Sequence, residues 1–151
     1  MRTAVWALRD FGENEMETYR HIVQYYETDR MGITHHSNYI RWMEEARVAF
    51  MKQLGWSYDQ MEEIGVFSPV TALECKYKAS TTFADVVEIR VSVSEFKGVV
   101  LKLNYTMTNQ DGKTVFTGRS EHCFLDKDGT IIRMGRAYPA FCAAIRAFLP
   151  E

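Results

Sequence analysis

Two hydrophobic periods divide the chain. From Tyr39 apolar residues recur at spacings of three and four through Trp42, Met43, Ala46, Ala49, Phe50 and Leu54, and Ile40, Val48 and Met51 widen the stripe. A helix apolar over so much of its circumference needs to be wrapped by other structure. Ser37 and Asn38 supply N-cap chemistry at its start, and Gly55 a stop at its end. Ser57 to Ile64 reads as one or two further helical turns, ended by Gly65. Beyond Gly65 the period becomes two. Leu73, Cys75 and Tyr77 alternate with Glu74, Lys76 and Lys78, and Val87, Ile89, Val91 and Val93 alternate with Glu88, Arg90, Ser92 and Ser94. A third run carries Val99, Leu101, Leu103, Tyr105 and Met107, and a fourth spans Lys113 to Leu125 between the turn signals Asp111-Gly112 and Asp128-Gly129. These are antiparallel strands with one wet and one greasy face. Pro139, Phe141, Cys142, Ile145 and Phe148 predict a short C-terminal helix. Before the long helix, the β-favouring residues between Glu17 and Tyr26 predict a strand that delivers the chain to Asp29, and Gly32 provides a turn. Residues 1–16 show no firm period and read as a loose arm or a short strand.

One mostly apolar helix followed by an antiparallel meander is best satisfied if the sheet curls around the helix, which gives an α+β domain. At 151 residues the chain is long enough for one such domain, 1–151, with a proper core, and too short for two ordinary ones. Long strands with open edges are expected to be paired or covered, so a dimer that continues the sheet is expected.

Composition adds exclusions. The chain is 46% hydrophobic, 13% aromatic and 25% charged, an ordinary globular profile. Its formal net charge of −2 gives no general attraction to a polyanion, so nucleic acid is not an expected partner. Three widely spaced cysteines, Cys75, Cys123 and Cys142, without a C-x-x-C, suggest neither a disulfide framework nor a zinc site, and make a reducing cytoplasm the natural setting. No apolar run approaches bilayer length, and Met1 to Asn14 lacks the plan of a secretory signal, so a soluble, unprocessed chain is expected.

The candidate chemistry lies between Tyr25 and Tyr39. Asp29 stands after a predicted strand and before a predicted helix, where a carboxylate at the rim of a pocket can attack a carbonyl or take a proton from water. His36-Ser37-Asn38 lies at the helix N-terminus, where backbone N–H groups without intrahelical partners can stabilise an oxyanion. An Asp before a glycine turn also serves simply to form the turn. His35 and His36 make a poor metal pair, because adjacent residues seldom ligate one ion and neither His21 nor His122 offers itself as a third ligand; no metal site is expected. Glu44 and Glu45 fit helix-surface pairing, with Arg41 to Glu45 and Glu44 to Arg47 at ion-pair spacing, better than a glycosidase pair. The motifs of serine hydrolases, dinucleotide sites and P-loops are missing.

The run Tyr26-Glu27-Thr28-Asp29-Arg30-Met31-Gly32-Ile33-Thr34-His35-His36-Ser37-Asn38-Tyr39, followed by Glu44-Glu45-Ala46-Arg47, resembles the signature of hot-dog-fold acyl-CoA thioesterases of the 4-hydroxybenzoyl-CoA thioesterase type. Tyr77-Lys78-Ala79, Phe83-Ala84-Asp85 and Glu121 to Gly129 resemble that family in order and spacing, so the likeness covers roughly residues 18 to 136. It implies a hot-dog fold and assembly into dimers or tetramers, with a homotetramer in view and sites where subunits meet. It implies Asp29 as the catalytic carboxylate, nucleophile or general base, with the backbone N–H of His36 polarising the thioester carbonyl. Glu27 stands where the family usually has the first Asp of a pair, and His35 where it often has an aromatic residue. These departures bear on substrate choice more than on chemistry.

For the substrate, an acyl-CoA or acyl carrier protein, Lys97 in the Phe96-Lys97-Gly98 turn and Lys76 or Lys78 are candidate phosphate partners. Tyr39, Trp42 and strand residues near Phe67 are candidates for the acyl pocket, and equally for plain core. No cofactor is implied. A non-catalytic acyl-CoA-binding subunit is the alternative function, and a hot-dog dehydratase, which would use His36 and Glu44, ranks last.

Overall fold

The computed structural model describes residues 17–149, so the expectation for residues 1–16 lies outside the described residues. Helix α1 runs from Ser37 to Gln53 and buries Tyr39, Trp42, Met43, Ala46, Phe50 and Met51, the centre of the anticipated stripe. Ile40 and Val48, expected to widen it, are exposed, so the helix is covered on one side rather than around most of its circumference. It lies against a five-stranded antiparallel sheet of β1 (Tyr19–Ile22), β2 (Val70–Tyr77), β3 (Val86–Phe96), β4 (Leu101–Thr108) and β5 (Thr114–His122). The short helices are α2 (Tyr58–Glu63), α3 (Met134–Ala137) and α4 (Pro139–Arg146). Alternation works as predicted on β3, where Val87, Ile89, Val91 and Val93 are buried, and on β4, where Leu101, Leu103, Tyr105 and Met107 are buried. Phe141 and Ile145 of α4 are fully buried, and Phe141 meets Trp56, Phe96 and Phe124 edge to face at the far end of the sheet.

Close packing of α1 on β5 depends on Gly118. A Cβ at that position would lie 2.8 Å from the Phe116 ring, which would have to shift, and 3.0 Å from the Met43 methyl, which would have to give by a few tenths of an ångström.

Several expectations are corrected. The sheet order is β1-β3-β4-β5-β2, so only β3, β4 and β5 form a meander, and β2 pairs with β5 at the edge. The predicted strand to Tyr26 ends at Ile22, and Tyr25–Glu27 is a 3-10 turn that swings Glu27 back beneath α1. Residue β2 by residue β2, a wet and a greasy face are not found: seven of its eight positions are exposed and one is half-buried. Leu73, Cys75 and Tyr77 sit in register with Ser120, Gly118 and Phe116 of the helix-facing side of β5, yet α1 does not reach far enough to cover them. The ion pairs expected on α1 are replaced by longer-range contacts. Glu45 accepts a hydrogen bond from the Tyr19 hydroxyl and faces His21, and Arg47 turns inward.

Candidate active site

The α1 N-terminus is capped differently from the sequence expectation. His36 is the N-cap residue, and Ser37 and Asn38 lie within the first turn. His35 does the capping: its carbonyl accepts the Asn38 N–H at 3.0 Å and its Nδ1 accepts the Ser37 N–H at 3.3 Å. The Asn38 side chain is thereby released. Its Nδ2 donates to the carbonyls of Glu27 and His35, tying the 3-10 turn to the helix. Among the described residues the His36 N–H makes no hydrogen bond, so one donor at the positive end of the helix stays open.

Asp29 is set by its own turn. Its N–H donates to the Ile33 carbonyl, its carbonyl accepts the Gly32 N–H, and its Oδ1 accepts the Met31 N–H at 2.8 Å. Gly32 adopts φ +77°, the left-handed conformation that a side chain makes costly. The turn-forming role and the reactive role of Asp29 are therefore compatible: one carboxylate oxygen fixes the turn, and Oδ2 has no protein hydrogen bond among the described residues. A second loop holds this turn in place. The Thr82 hydroxyl donates to the Gly32 carbonyl at 2.7 Å, and the buried Thr34 and Thr81 hydroxyls meet at 2.6 Å.

Asp29 and His36 line one cleft of about 290 Å³, together with Met31, Thr34, Tyr39, Tyr77 and Lys78. The Tyr39 hydroxyl bonds Thr81 Oγ1 at 2.9 Å, and burial raises its pKa, so it stays a neutral phenol at physiological pH. Tyr77, from the end of β2, donates its hydroxyl to the His36 carbonyl and stands edge to face against Tyr39. The sequence-predicted site residues thus separate. Asp29, His36 and Tyr39 come together. Trp42 is fully buried and donates its Nε1–H to Glu27 Oε2 at 2.7 Å. Phe67 lines a different cleft, and Lys97 is exposed at the β3–β4 hairpin, ion-paired with Glu95.

Glu27, noted from sequence only as a departure, is a buried hub beneath the site. It accepts from His21 Nε2, the Gln24 N–H and Trp42 Nε1 at 2.7 to 2.8 Å. Burial alone would raise its pKa, but these donors outweigh burial and hold it below the usual carboxylate range. Tyr77 and Thr81 were also missed as cleft-shaping groups. The sequence signal for Tyr77 was its place in the Tyr77-Lys78-Ala79 segment of the resemblance, and Thr81 stands two residues beyond it.

Residues 23–147 match the thioesterase-like superfamily. The chain belongs to that family. The fold is therefore the hot-dog fold of thioester hydrolases, as the resemblance implied. A Bacillus subtilis (strain 168) protein provisionally named acyl-CoA thioesterase YneP is 34% identical over 118 residues, 78% of this chain and 86% of that one. The DHNA-CoA thioesterase of Staphylococcus aureus superposes with a TM-score of 0.82 at 32% identity, covering 86% of this chain and 88% of that one. The gentisyl-coenzyme A thioesterase BH1999 gives a TM-score of 0.72 at 28% identity, covering 77% and 94%.

Proposed function

We propose that this thioester hydrolase acts on acyl-CoA, with Asp29 as the reacting carboxylate and the His36 backbone N–H as the oxyanion donor. The observation that supports this reading is the shared cleft, lined both by Asp29, whose Oδ2 makes no hydrogen bond among the described residues, and by His36, whose N–H is likewise unpartnered there. The thioester carbonyl oxygen would accept the His36 N–H, strengthened by the α1 dipole as negative charge develops there. Asp29 either attacks the carbonyl carbon, forming an anhydride that water then opens, or removes a proton from the attacking water. In both courses a C–O bond forms, the C–S bond breaks, and the CoA thiolate leaves to be protonated. Lys97 and Lys78 remain candidates for the coenzyme phosphates, with Lys78 at the cleft itself.

The relatives' names lead us to include aryl as well as aliphatic thioesters in the test, an acyl-CoA panel with free-thiol detection. We expect turnover of at least one thioester and a fall of at least about 100-fold in Asp29→Asn, the scale of a lost general base or nucleophile. An undiminished rate in that variant would overturn the assignment. The open edge and uncovered inner face of β2 support a two-fold dimer joined through that strand, which light scattering at micromolar concentration tests.

A further inference from the structure

A second cleft, of about 370 Å³, lies between the middle of α1, α2 and the segment entering β2. Its apolar wall is Met61, Val66, Phe67 and Val70, and its floor holds Arg47 and Tyr58. Arg47 is only 6% exposed, yet no carboxylate forms an ion pair with it among the described residues. Its protein partners are all uncharged: Nη1 donates to His122 Nδ1 at 2.7 Å and to the Ser68 carbonyl at 3.3 Å, and the guanidinium sits 5.2 Å from the centre of the Tyr58 ring. Because Arg cannot accept a hydrogen bond, the contact fixes His122 as the neutral tautomer with its proton on Nε2, which donates to Ser120 Oγ at 2.6 Å. His122 therefore has no acceptor left for another donor.

Nε and Nη2 of Arg47 make no hydrogen bond among the described residues. The Tyr58 hydroxyl also has no partner, but burial shuts it off, and the cleft meets Tyr58 through its ring. The floor thus offers the open Nε–H and Nη2–H donors of a buried positive charge. The complementary ligand is an acceptor-only anion with an apolar body. Glu44 and Glu62 also line the cleft, but both side chains belong to exposed residues at its mouth, where water screens them.

The two clefts flank opposite ends of β2: Tyr77 and Lys78 line the Asp29 cleft, and Ser68 to Val70 line the Arg47 cleft. Were β2 to pair antiparallel with its two-fold mate about the middle of the strand, Val70 of one copy would lie beside Tyr77 of the other. We propose that the Arg47–Tyr58 cleft is a carboxylate-binding site, and that in the β2-joined dimer it receives the far end of an acyl group whose thioester lies at Asp29 of the other copy. The second clause rests on the thioesterase reading; the first does not. The preferred substrates are then thioesters of dicarboxylic acids.

The test has two arms, both on the full chain. In the first, benzoate is titrated calorimetrically into the wild type, Arg47→Lys and Arg47→Gln. Arg47→Lys is the safer variant, since it keeps the positive charge. We expect binding at one site per chain, weakened about tenfold by Arg47→Lys, which loses the forked hydrogen bonding of a guanidinium to a carboxylate. Absent binding, or binding indifferent to both substitutions, overturns the carboxylate site whatever the enzyme hydrolyses. In the second arm, kcat/KM is compared for 4-carboxybenzoyl-CoA against benzoyl-CoA, and for adipoyl-CoA against hexanoyl-CoA. A preference for the carboxylated member that falls toward one in Arg47→Lys is expected. An unchanged ratio overturns the link to the acyl group. Hydrolysis of no thioester in either pair counts against the thioesterase reading, and leaves the benzoate arm to decide the site.

Discussion

Among the described residues two charged side chains are buried at α1, Glu27 beneath its start and Arg47 on the helix itself past its middle, and they are compensated in opposite ways. Glu27 receives three donors, from an imidazole, a backbone N–H and an indole, and its charged form is favoured as a result. Arg47 receives a neutral imidazole, a carbonyl and an aromatic face, and keeps donors to spare. A buried ion costs several kcal/mol in lost hydration unless its surroundings restore those interactions. Glu27 has them restored within the protein, which makes it a fixed point on which the Asp29 turn can stand. Arg47 does not, and the missing part is of the kind that a ligand supplies.

If that contrast is right, Glu27→Ala has the largest effect on stability. It leaves the fully buried Trp42 indole N–H without an acceptor and the half-buried His21 without its carboxylate, and should lower unfolding free energy by about 3–5 kcal/mol. Urea unfolding reads this directly, and a loss below about 1 kcal/mol would mean that Glu27 is not the anchor described. Acid gives an effect of intermediate size at the other charge. Burial, reinforced by Arg47, pushes the pKa of His122 down to about 3. The unfolded chain takes up that proton near 6.5, so His122 contributes stability that is complete above that pH and lost progressively as pH falls toward 3. Between pH 6.5 and 4.5 the slope should approach about 1 kcal/mol per pH unit, before Glu27, whose pKa is also depressed, begins to contribute in the same direction. Unfolding curves at pH 7.5, 6 and 4.5 measure the slope, and His122→Gln should flatten it. The smallest effect is that of Tyr58→Phe in the unliganded protein. Losing a buried hydroxyl that bonds nothing should leave stability unchanged or raise it by up to about 1 kcal/mol. A clear loss of stability would show that the hydroxyl is bonded in solution.

The legible parts of the chain were those where one physical demand acts alone. On β3 and β4 the alternation of Val, Ile and Leu with polar residues reports burial directly, because one sheet face meets α1 and the other meets water. On β5 it does not. Its inward row is Phe116, Gly118, Ser120 and His122, chosen by the close approach of Met43 and by the Arg47 network rather than by hydrophobicity. Asp29 and His36 could be singled out because a turn and a helix start are local in sequence. Trp42 could not be assigned between core and pocket, because only the return of Glu27 beneath the helix decides where its indole points. Phe67 and Lys97 could be named only by residue type, and within one chain the fold sets Phe67 on the wall of the Arg47 cleft and Lys97 beside Glu95 on the β3–β4 hairpin.

Sequence by itself determined an α+β fold, a long helix with one face in the core, a run of antiparallel strands, and a carboxylate beside a helix N-terminus, since each follows from residue periods and from neighbours a few positions apart. Tertiary structure alone decided that β2 is an uncovered edge, that His35 rather than Ser37 caps α1 and leaves the His36 N–H open, and that Arg47 and His122, 75 positions apart, meet in the interior. Hydrogen bonding and charge compensation at such distances depend on which side chains the fold brings within about 3 Å, and no linear pattern encodes that.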